Sequence, residues 1–524
     1  MRRTLPISSA VTCFAATAFV LAIARAGRCE SVERKSPNVL LICVDDLRNC
    51  LKLDGDAIAQ TPHLDRLAAD AVRFDNSFCP YPVCTPSRYS LLSGLYVRQH
   101  GGWSNRSTLA PGIATFPRLL RDAGYRTKAI GKMHFTPTYL DVGFSEMALS
   151  EQDGDGRMDD DYHRELRAHD LVDADDIIDQ RGEFRKRAPK SYWETCGAKT
   201  SNLPEAWHST TWIGDRAVKT LETWTDSGNL VMTGFIKPHH PFDPPEPWDR
   251  MYDPQDMDLP PGWLDAVPGE DRRFHRGYFP NDELTESVMR LVTAYYYATI
   301  SHIDHQVGRM IGLLERRDLY DKTLIVYTAD HGELLGFHHM LLKGGPLYDP
   351  LAKVPLLIKF PGNRDGGAVR ENLVNNIDVA PTLLRQAGVD VPADMAGLDL
   401  ADASADREMV FSEDRLGRMV MARSRRHKLL LPSGRGKGLF YDLQTDPLEM
   451  TNRIDDPSYG SVINEHRRAI ADWTMATVPP TYVDERSRCV GQDEGPNPYE
   501  DGRRQMLAYF ERKVTEYLGA EAKR

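Results

Sequence analysis

Beyond its first 26 residues the chain has no hydrophobic run long enough to cross a membrane. Cysteine is sparse for 524 residues: Cys13, Cys29, Cys43, Cys50, Cys79, Cys84, Cys196 and Cys489 show no repeating spacing. That excludes a disulfide scaffold and a zinc motif, and leaves room for one or two unassigned bridges in an oxidising compartment. Positive charge is not in excess, since 65 Lys and Arg against 76 Asp and Glu give a formal charge of −11. Such a chain is no general binder of nucleic acid or membrane surfaces, and an anionic substrate would need a local cationic pocket. Internal repeats and low-complexity segments are lacking as well.

What is present begins with a predicted signal peptide over residues 1–26. Arg2 and Arg3 form its basic start, Val11 to Ala24 its short apolar core, and Ala24-Arg25-Ala26 a cleavage site. The expectation is export, periplasmic or secreted, with no membrane association after cleavage; a retained anchor is the alternative. Cleavage removes three arginines and no acid, which takes the charge from −11 to −14.

Four apolar runs end abruptly in charge. Asn38 to Val44 ends in Asp45-Asp46, and Thr127 to Ile130 runs into Gly131-Lys132-Met133-His134. Leu230 to Ile236 runs into Lys237-Pro238-His239-His240, and Leu324 to Thr328 into Asp330-His331-Gly332-Glu333. Continuous apolar runs are expected of strands buried on both faces, and helical patterns such as Val288 to Leu314 lie between them. The alternation predicts an α/β fold with a mostly parallel sheet flanked by helices. Ligands in such sheets bind beyond the carboxyl ends of the strands, so these charged ends are expected to share one site. Thr61-Pro62 is expected to cap a helix with Leu64, Leu67, Ala68, Ala71 and Phe74 on one face.

Cys84 lies in Pro82-Val83-Cys84-Thr85-Pro86-Ser87-Arg88, just ahead of an apolar-periodic stretch. A thiol there meets the free N–H groups of a helix start, with Pro86 in the first turn, Ser87 as the cap and Arg88 one turn away. A buried inert thiol, or one paired with Cys79, is the bland alternative. Asp45-Asp46 and Asp330-His331 could each be an ordinary turn. Two such pairs at strand ends with Cys84 between them favour a shared metal site, because adjacent carboxylates repel unless a cation compensates.

Cys-x-Pro-Ser-Arg followed by a Leu-x-x-Gly helix resembles the type I sulfatase motif, and Asp330-His331 resembles the iduronate-2-sulfatase-like branch. The resemblance runs from about 37 to about 455 and includes Tyr441-Asp442-Leu443 to Asn452. It implies an alkaline-phosphatase-like fold and oxidation of Cys84 to formylglycine by a maturation enzyme. It implies a calcium ion, with magnesium or manganese as alternatives, held by Asp45, Asp46, Asp330, His331 and the side chain at position 84. Imidazole is a less typical calcium ligand than an amide oxygen, which makes His331 a departure. In the implied cycle, the aldehyde hydrate attacks sulfur, the alcohol leaves, and loss of a proton from the second hydroxyl expels sulfate. Arg88 would stabilise the hydrate, Lys132 and His134 would flank it with His134 as the base, His239 would be the acid for the leaving group, and Lys343 would hold the sulfate. His240, His338 and His339 are expected to be surface or supporting residues, Lys237 to touch substrate or support its loop, and 295–309 to be packing.

Residues 145–200, rich in charge and poor in periodicity, read as a surface insertion, expected to be a solvated flank, with a part in shaping the substrate cleft as the alternative. Asp243, Glu246, Trp248, Arg250, Arg272 and Arg273 suggest, as a guess, a surface suited to a sulfated sugar. From about 401 onward the short alternating runs, including Met409 to Phe411 and His427 to Leu431, predict a small antiparallel sheet, with a helix over Met506 to Leu518. The domains expected are thus a catalytic one over 36–400 and a smaller α+β one over 401–524. The expected function is hydrolysis of a sulfuric ester, of a sulfated small molecule or glycan, with a formylglycine-dependent phosphonate monoester or phosphodiester hydrolase as runner-up. A non-catalytic glycan binder is the reading from another class.

Overall fold

The computed structural model describes residues 36–152, 159–269, 271–272, 278–279, 284–344, 346–414, 417–434, 436–479 and 502–523. The expected signal peptide and Arg273 lie outside the described residues. The first strand, β1 (Asn38–Val44), is buried at every position, as its unbroken apolar run requires. Then come α1 (Pro62–Asp70), β2 (Val72–Phe78), α2 (Cys84–Ser93), β3 (Arg126–Gly131) and β4 (Glu146–Leu149). After them come α3 (Asp161–Ala168), α4 (Ala174–Gln180), α5 (Ser209–Leu221), β5 (Asn229–Phe235), α6 (Glu286–Arg316), β6 (Thr323–Ala329), β7 (Leu356–Lys359) and β8 (Val369–Asn375).

These strands form one sheet in the order β4-β3-β5-β1-β6-β7-β2-β8. It is parallel except for β7, which runs against both β6 and β2. One face of β1 (Leu40, Ile42, Val44) packs in the cluster that holds α6, and the other (Val39, Leu41, Cys43) in the cluster around α2. Each face therefore removes a continuous apolar surface from water, the main favourable term for this architecture.

A second sheet, β12-β11-β10-β9, is antiparallel and consists of β9 (Val410–Asp414), β10 (Met419–Arg423), β11 (His427–Pro432) and β12 (Leu439–Asp442). Helix α7 (Gly460–Ala476) covers one face through Ile463, Ile470 and Trp473. The last helix, α8 (Arg503–Glu521), does not join that sheet. It packs Met506, Tyr509, Phe510 and Val514 against Val172, Ile177, Ile178 and Phe184. The boundary proposed near 400 falls in the irregular stretch before β9, and Ser36–Arg524 hold together as one compact unit; the division remains a proposal.

Three local expectations are corrected. Helix α1 ends at Asp70, and Phe74 lies in β2, whose pairing with β7 and β8 draws the chain into the sheet. Helix α2 starts at Cys84 itself with Val83 in the cap position; Ser87 is inside the helix and its Oγ donates to Asp330 O at 2.5 Å. Residues 145–200 are not a solvated flank, because Asp173, Asp175, Asp176 and Asp179 are buried, with Tyr162 OH on Asp173, Lys199 on Asp175, Lys237 on Asp176 and His240 on Asp179.

Candidate active site

Register aligns the charged strand ends. Val44 is opposite Phe235 and Ala329, and Gly131 is opposite Gly234. The main-chain ladder continues one residue further: Asp45 N donates to Phe235 O (3.1 Å), Asp330 N to Val44 O (3.2 Å) and Lys132 N to Gly234 O (2.8 Å). Asp45, Lys132 and Asp330 thus leave the sheet side by side. The close approach of β3 and β5 requires glycine, since a Cβ on Gly234 would lie 1.9 Å from Lys132 O.

Cys84 is fully buried at the first position of α2, with His331 Nε2 at 3.3 Å and Lys343 Nζ at 3.4 Å from its sulfur. Asn105 Oδ1 accepts the neighbouring Thr85 N–H at 3.1 Å. Arg88, also fully buried, donates from Nε to Asp330 Oδ2 (2.9 Å) and from Nη1 to Lys132 O (2.7 Å), and its Nη2 lies 3.4 Å from Asp45 Oδ1. One guanidinium therefore ties three strand ends to the helix that carries Cys84.

Oxygen, nitrogen and sulfur atoms of Asp45, Asp46, His331 and Cys84 lie within 4.8 Å of one another. Asp45 Oδ1 is buried and accepts no hydrogen bond. Three buried carboxylates converge here when Asp330 is counted, and an orphaned carboxylate oxygen in such a cluster fits a hard divalent cation. Asp330 is oriented differently from the other two: Oδ2 takes Arg88, and Oδ1 accepts His331 N at 2.9 Å and Asp46 N at 3.3 Å.

Cations crowd the acids. Lys132 Nζ donates to Asp45 Oδ2, and Lys343 Nζ to both oxygens of Asp46 at 2.7 and 2.9 Å. Burial alone would raise the Asp45 carboxyl, but Lys132, His239 and Arg88 hold it well below the usual carboxylate range. Asp330 is pushed up to about 6 by burial and by the charge of Asp45. His331 rises well above an ordinary imidazole despite burial, because Asp330 and Asp46 face it. Burial, Lys343 and Lys132 push His239 well below the ordinary imidazole value.

His239 Nε2 points to Asp46 at 3.7 Å, and its Nδ1 is 2.6 Å from His240 O. His240 turns the other way, onto Asp179 Oδ2 at 2.6 Å, and stacks on His239 with centroids 4.3 Å apart. That separates two histidines that the sequence left ambiguous. Lys237 does not reach the site: its Nζ is fully buried between Asp176 Oδ1 (2.9 Å), Asp243 Oδ1 (2.5 Å) and Pro241 O (3.0 Å). His134 has φ +60° and its N–H, with that of Met133, points at the Glu151 carboxylate.

His338 and His339 are buried rather than on the surface, with Nδ1 contacts to Asp271 Oδ2 (2.9 Å) and Leu264 O (2.7 Å). The 295–309 stretch packs in α6 as expected, and it also reaches the site: Tyr296 OH donates to Asp46 O at 2.7 Å. Asp243 is buried on Lys237, Trp248 stacks on His302 at 4.9 Å and donates to Glu205, and Arg250 pairs with Glu246. Residues that the sequence reading missed are Glu151, Asp176 and Asp179; Glu333, noted only as part of a charged strand end, accepts Leu335 N (3.0 Å) and Leu342 N beside Lys343. Their only signal was an acid that the fold buries.

A cavity of about 700 Å³ lies elsewhere, at the opposite half of β3 and β5, lined by Tyr125, Arg126, Lys128, Trp212 and Arg216. None of the residues around Cys84 lines it. The chemistry is at the carboxyl ends of the strands.

This sheet, with paired acids, a helix-start cysteine and fixed cations at its carboxyl edge, defines an alkaline-phosphatase-like hydrolase. Residues 37–389 match the Sulfatase family, and residues 338–475 match the family described as N-sulphoglucosamine sulphohydrolase, C-terminal. The chain is 30% identical over 475 residues to an arylsulfatase of Clostridium perfringens, covering 83% of this chain and 93% of that protein. It is 26% identical to an N-acetylglucosamine-6-O-sulfatase of Bacteroides thetaiotaomicron, covering 84% and 86%. A phosphonate monoester hydrolase from Silicibacter pomeroyi superposes with a TM-score of 0.71 at 25% identity, over 85% of this chain and 96% of the other. The protein belongs to the sulfatase family, and it is an enzyme of sulfate ester hydrolysis. Family members use formylglycine and a divalent metal.

Proposed function

We propose that the protein releases sulfate from a sulfated carbohydrate, using a formylglycine made from Cys84 by a maturation enzyme after export. The observation that carries this reading is the placement of Cys84: first residue of α2, buried, 3.3 Å from His331 Nε2 and 3.4 Å from Lys343 Nζ. An anion arriving there meets helix N–H groups and fixed cations. The carbohydrate class rests on the relative named for N-acetylglucosamine 6-O-sulfate.

Asp45, Asp46, Asp330, His331 and the side chain at 84 would hold the metal, calcium in this reading. When bound, the ion supplies Lewis-acid polarisation and charge compensation at the reacting centre. Lys343 is placed to hold a sulfuryl oxygen, Arg88 and Lys132 to fix the carboxylates and the oxygen at position 84. In this reading His134 would be the base that takes the proton whose loss releases sulfate, and His239, whose Nε2 lies 3.7 Å from Asp46, would be the acid for the leaving oxygen.

Mass spectrometry of the peptide over Cys84, with steady-state hydrolysis of an aryl sulfate, tests the proposal. An aldehyde at position 84 and loss of turnover in Cys84→Ala and on chelation are expected. Full turnover in Cys84→Ala would refute it. The likeness to the phosphonate monoester hydrolase favours one second reading, hydrolysis of phosphonate monoesters or phosphodiesters. Rates on matched aryl sulfate, phosphodiester and phosphonate substrates separate the two.

A further inference from the structure

Glu151 stands two residues beyond β4, and His134 three residues beyond β3, in a sheet register that places Gly131 opposite Leu149. The Glu151 carboxylate is fully buried, and both successive N–H groups of the adjacent turn converge on it. Met133 N donates to Oε1 at 2.9 Å, and His134 N to Oε1 at 2.9 Å and Oε2 at 3.1 Å. His134 has φ +60°, a left-handed conformation that costs about 1 kcal/mol or more in a residue with a Cβ. Such a conformation persists where the surroundings over-determine it, and here both sides of the turn are tied.

On the carbonyl side, Lys132 O accepts from Arg88 Nη1 (2.7 Å) and His134 O from Thr85 Oγ1 (2.7 Å). Both donors belong to α2, the helix that begins with Cys84. On the N–H side, Glu151 takes the load, and its own N–H donates to Asp160 Oδ2 at 2.6 Å. Asp160 in turn caps α3 through His163 N (2.9 Å) and faces His163 Nδ1 (2.9 Å). A carboxylate accepting main-chain N–H groups makes bonds about twice as strong as neutral ones. Glu151 therefore clamps, from the β4 side, the turn whose other side is fixed to the helix of Cys84.

We propose that Glu151 is a positioning residue that acts through His134, holding its main chain left-handed and so fixing the backbone from which the proposed base extends. The inference rests on the proposed role of His134. Nothing passes through Glu151 covalently, and it does not touch substrate.

The test is a double-mutant cycle in the matured enzyme on an aryl sulfate. Glu151→Ala is expected to lower kcat by about 100-fold with KM within about threefold, as misplacement of a reacting group by ~1 Å does. In a His134→Ala background the same substitution is expected to cost less than about threefold, because the group it positions is gone. Glu151→Gln keeps the side-chain volume and one acceptor oxygen, and is expected to recover at least about a tenth of the wild-type kcat; it carries the cycle if the alanine variant does not fold. Equal losses in the two backgrounds, or a loss confined to KM, would overturn the inference. If His134→Ala itself retains full turnover, the role given to His134 fails instead, so the two failures are distinguishable.

Discussion

Lys343 Nζ bridges both carboxylate oxygens of Asp46, at 2.7 and 2.9 Å, while standing 3.4 Å from Cys84 Sγ. It is the least enclosed cation of the group, with a side chain 17% exposed where Arg88 and Lys132 have none. One edge on the acids and one edge open suit the sulfate clamp proposed for Lys343.

Lys343→Ala is expected to lower kcat/KM for an aryl sulfate by about 100-fold or more, the scale of removing one fixed donor from a developing charge. Lys343→Arg is not expected to restore it, since a planar fork cannot occupy the slot between Asp46 and Cys84 as a point charge does. Steady-state kinetics, with inhibition by inorganic sulfate as a second readout, check this. A Lys343→Ala enzyme with unchanged sulfate inhibition would refute the role given to Lys343.

Metal removal makes a separate prediction. Three carboxylates, one of which has an oxygen (Asp45 Oδ1) that accepts no hydrogen bond, converge beside Lys132, Lys343, Arg88 and His331. Dialysis against a chelator is expected to abolish turnover and lower the unfolding midpoint. Adding calcium back is expected to raise the midpoint in proportion to the logarithm of its concentration above Kd. Calorimetry with elemental analysis follows both. An unfolding midpoint that ignores both chelator and calcium would mean that the acids are compensated by Lys132, Lys343, Arg88 and His331 without a metal.

The strand ends were legible because they combine two strong signals, an unbroken apolar run and an abrupt charge. β1 was read residue for residue as Asn38–Val44, and β3, β5 and β6 to within one residue at each end. Strands with mixed patterns escaped, among them β2 (VRFDNSF), whose sheet neighbours β7 and β8 are distant in sequence, and the short edge strand β4 (EMAL). The same limit applies to the site. From the strand-end motifs Asp45, Asp46, Lys132, Asp330 and His331 lie together while Lys237 and His240 turn away, and Glu151, Asp176 and Asp179 reveal themselves only when the fold buries them beside Met133, Lys237 and His240. An acid in a charged stretch carries no mark of burial until its partner is brought from elsewhere in the chain.

Lys237 illustrates the cost of that burial. Its ammonium is the only cation within ion-pair distance of both Asp176 and Asp243 among the described residues, and all three are buried. Lys237→Met should leave two uncompensated carboxylates and destabilise the fold by about 3–5 kcal/mol. Adding Asp243→Asn should recover part of that loss, because one of the stranded charges is removed. Chemical denaturation of the single and double variants measures both. Additive losses would show that the ion pair is not what holds the loop carrying His239.

His100 gives a pH dependence away from the metal-facing acids. Its ring is buried against α2, with Nδ1 accepting Gly102 N–H at 3.1 Å, so Nε2 carries the proton and donates to Ser90 Oγ at 2.9 Å. Protonation would have to place a second proton on Nδ1, breaking the Gly102 bond at a buried position. Burial accordingly lowers this imidazole from 6.5 to about 3. A histidine depressed in the folded state stays neutral there while the unfolded chain takes up a proton, so its contribution is complete above 6.5 and is lost as the pH falls toward about 3. The loss approaches about 1.4 kcal/mol per pH unit, or roughly 2 kcal/mol between pH 7.5 and 5. His100→Gln is expected to remove that share of the slope while lowering stability at neutral pH, because the substitution ends the titration but also disturbs the Ser90 and Gly102 bonds. Denaturant unfolding of both proteins at the two pH values measures the difference, and parallel slopes would show that the wild-type ring is already protonated or exposed when folded.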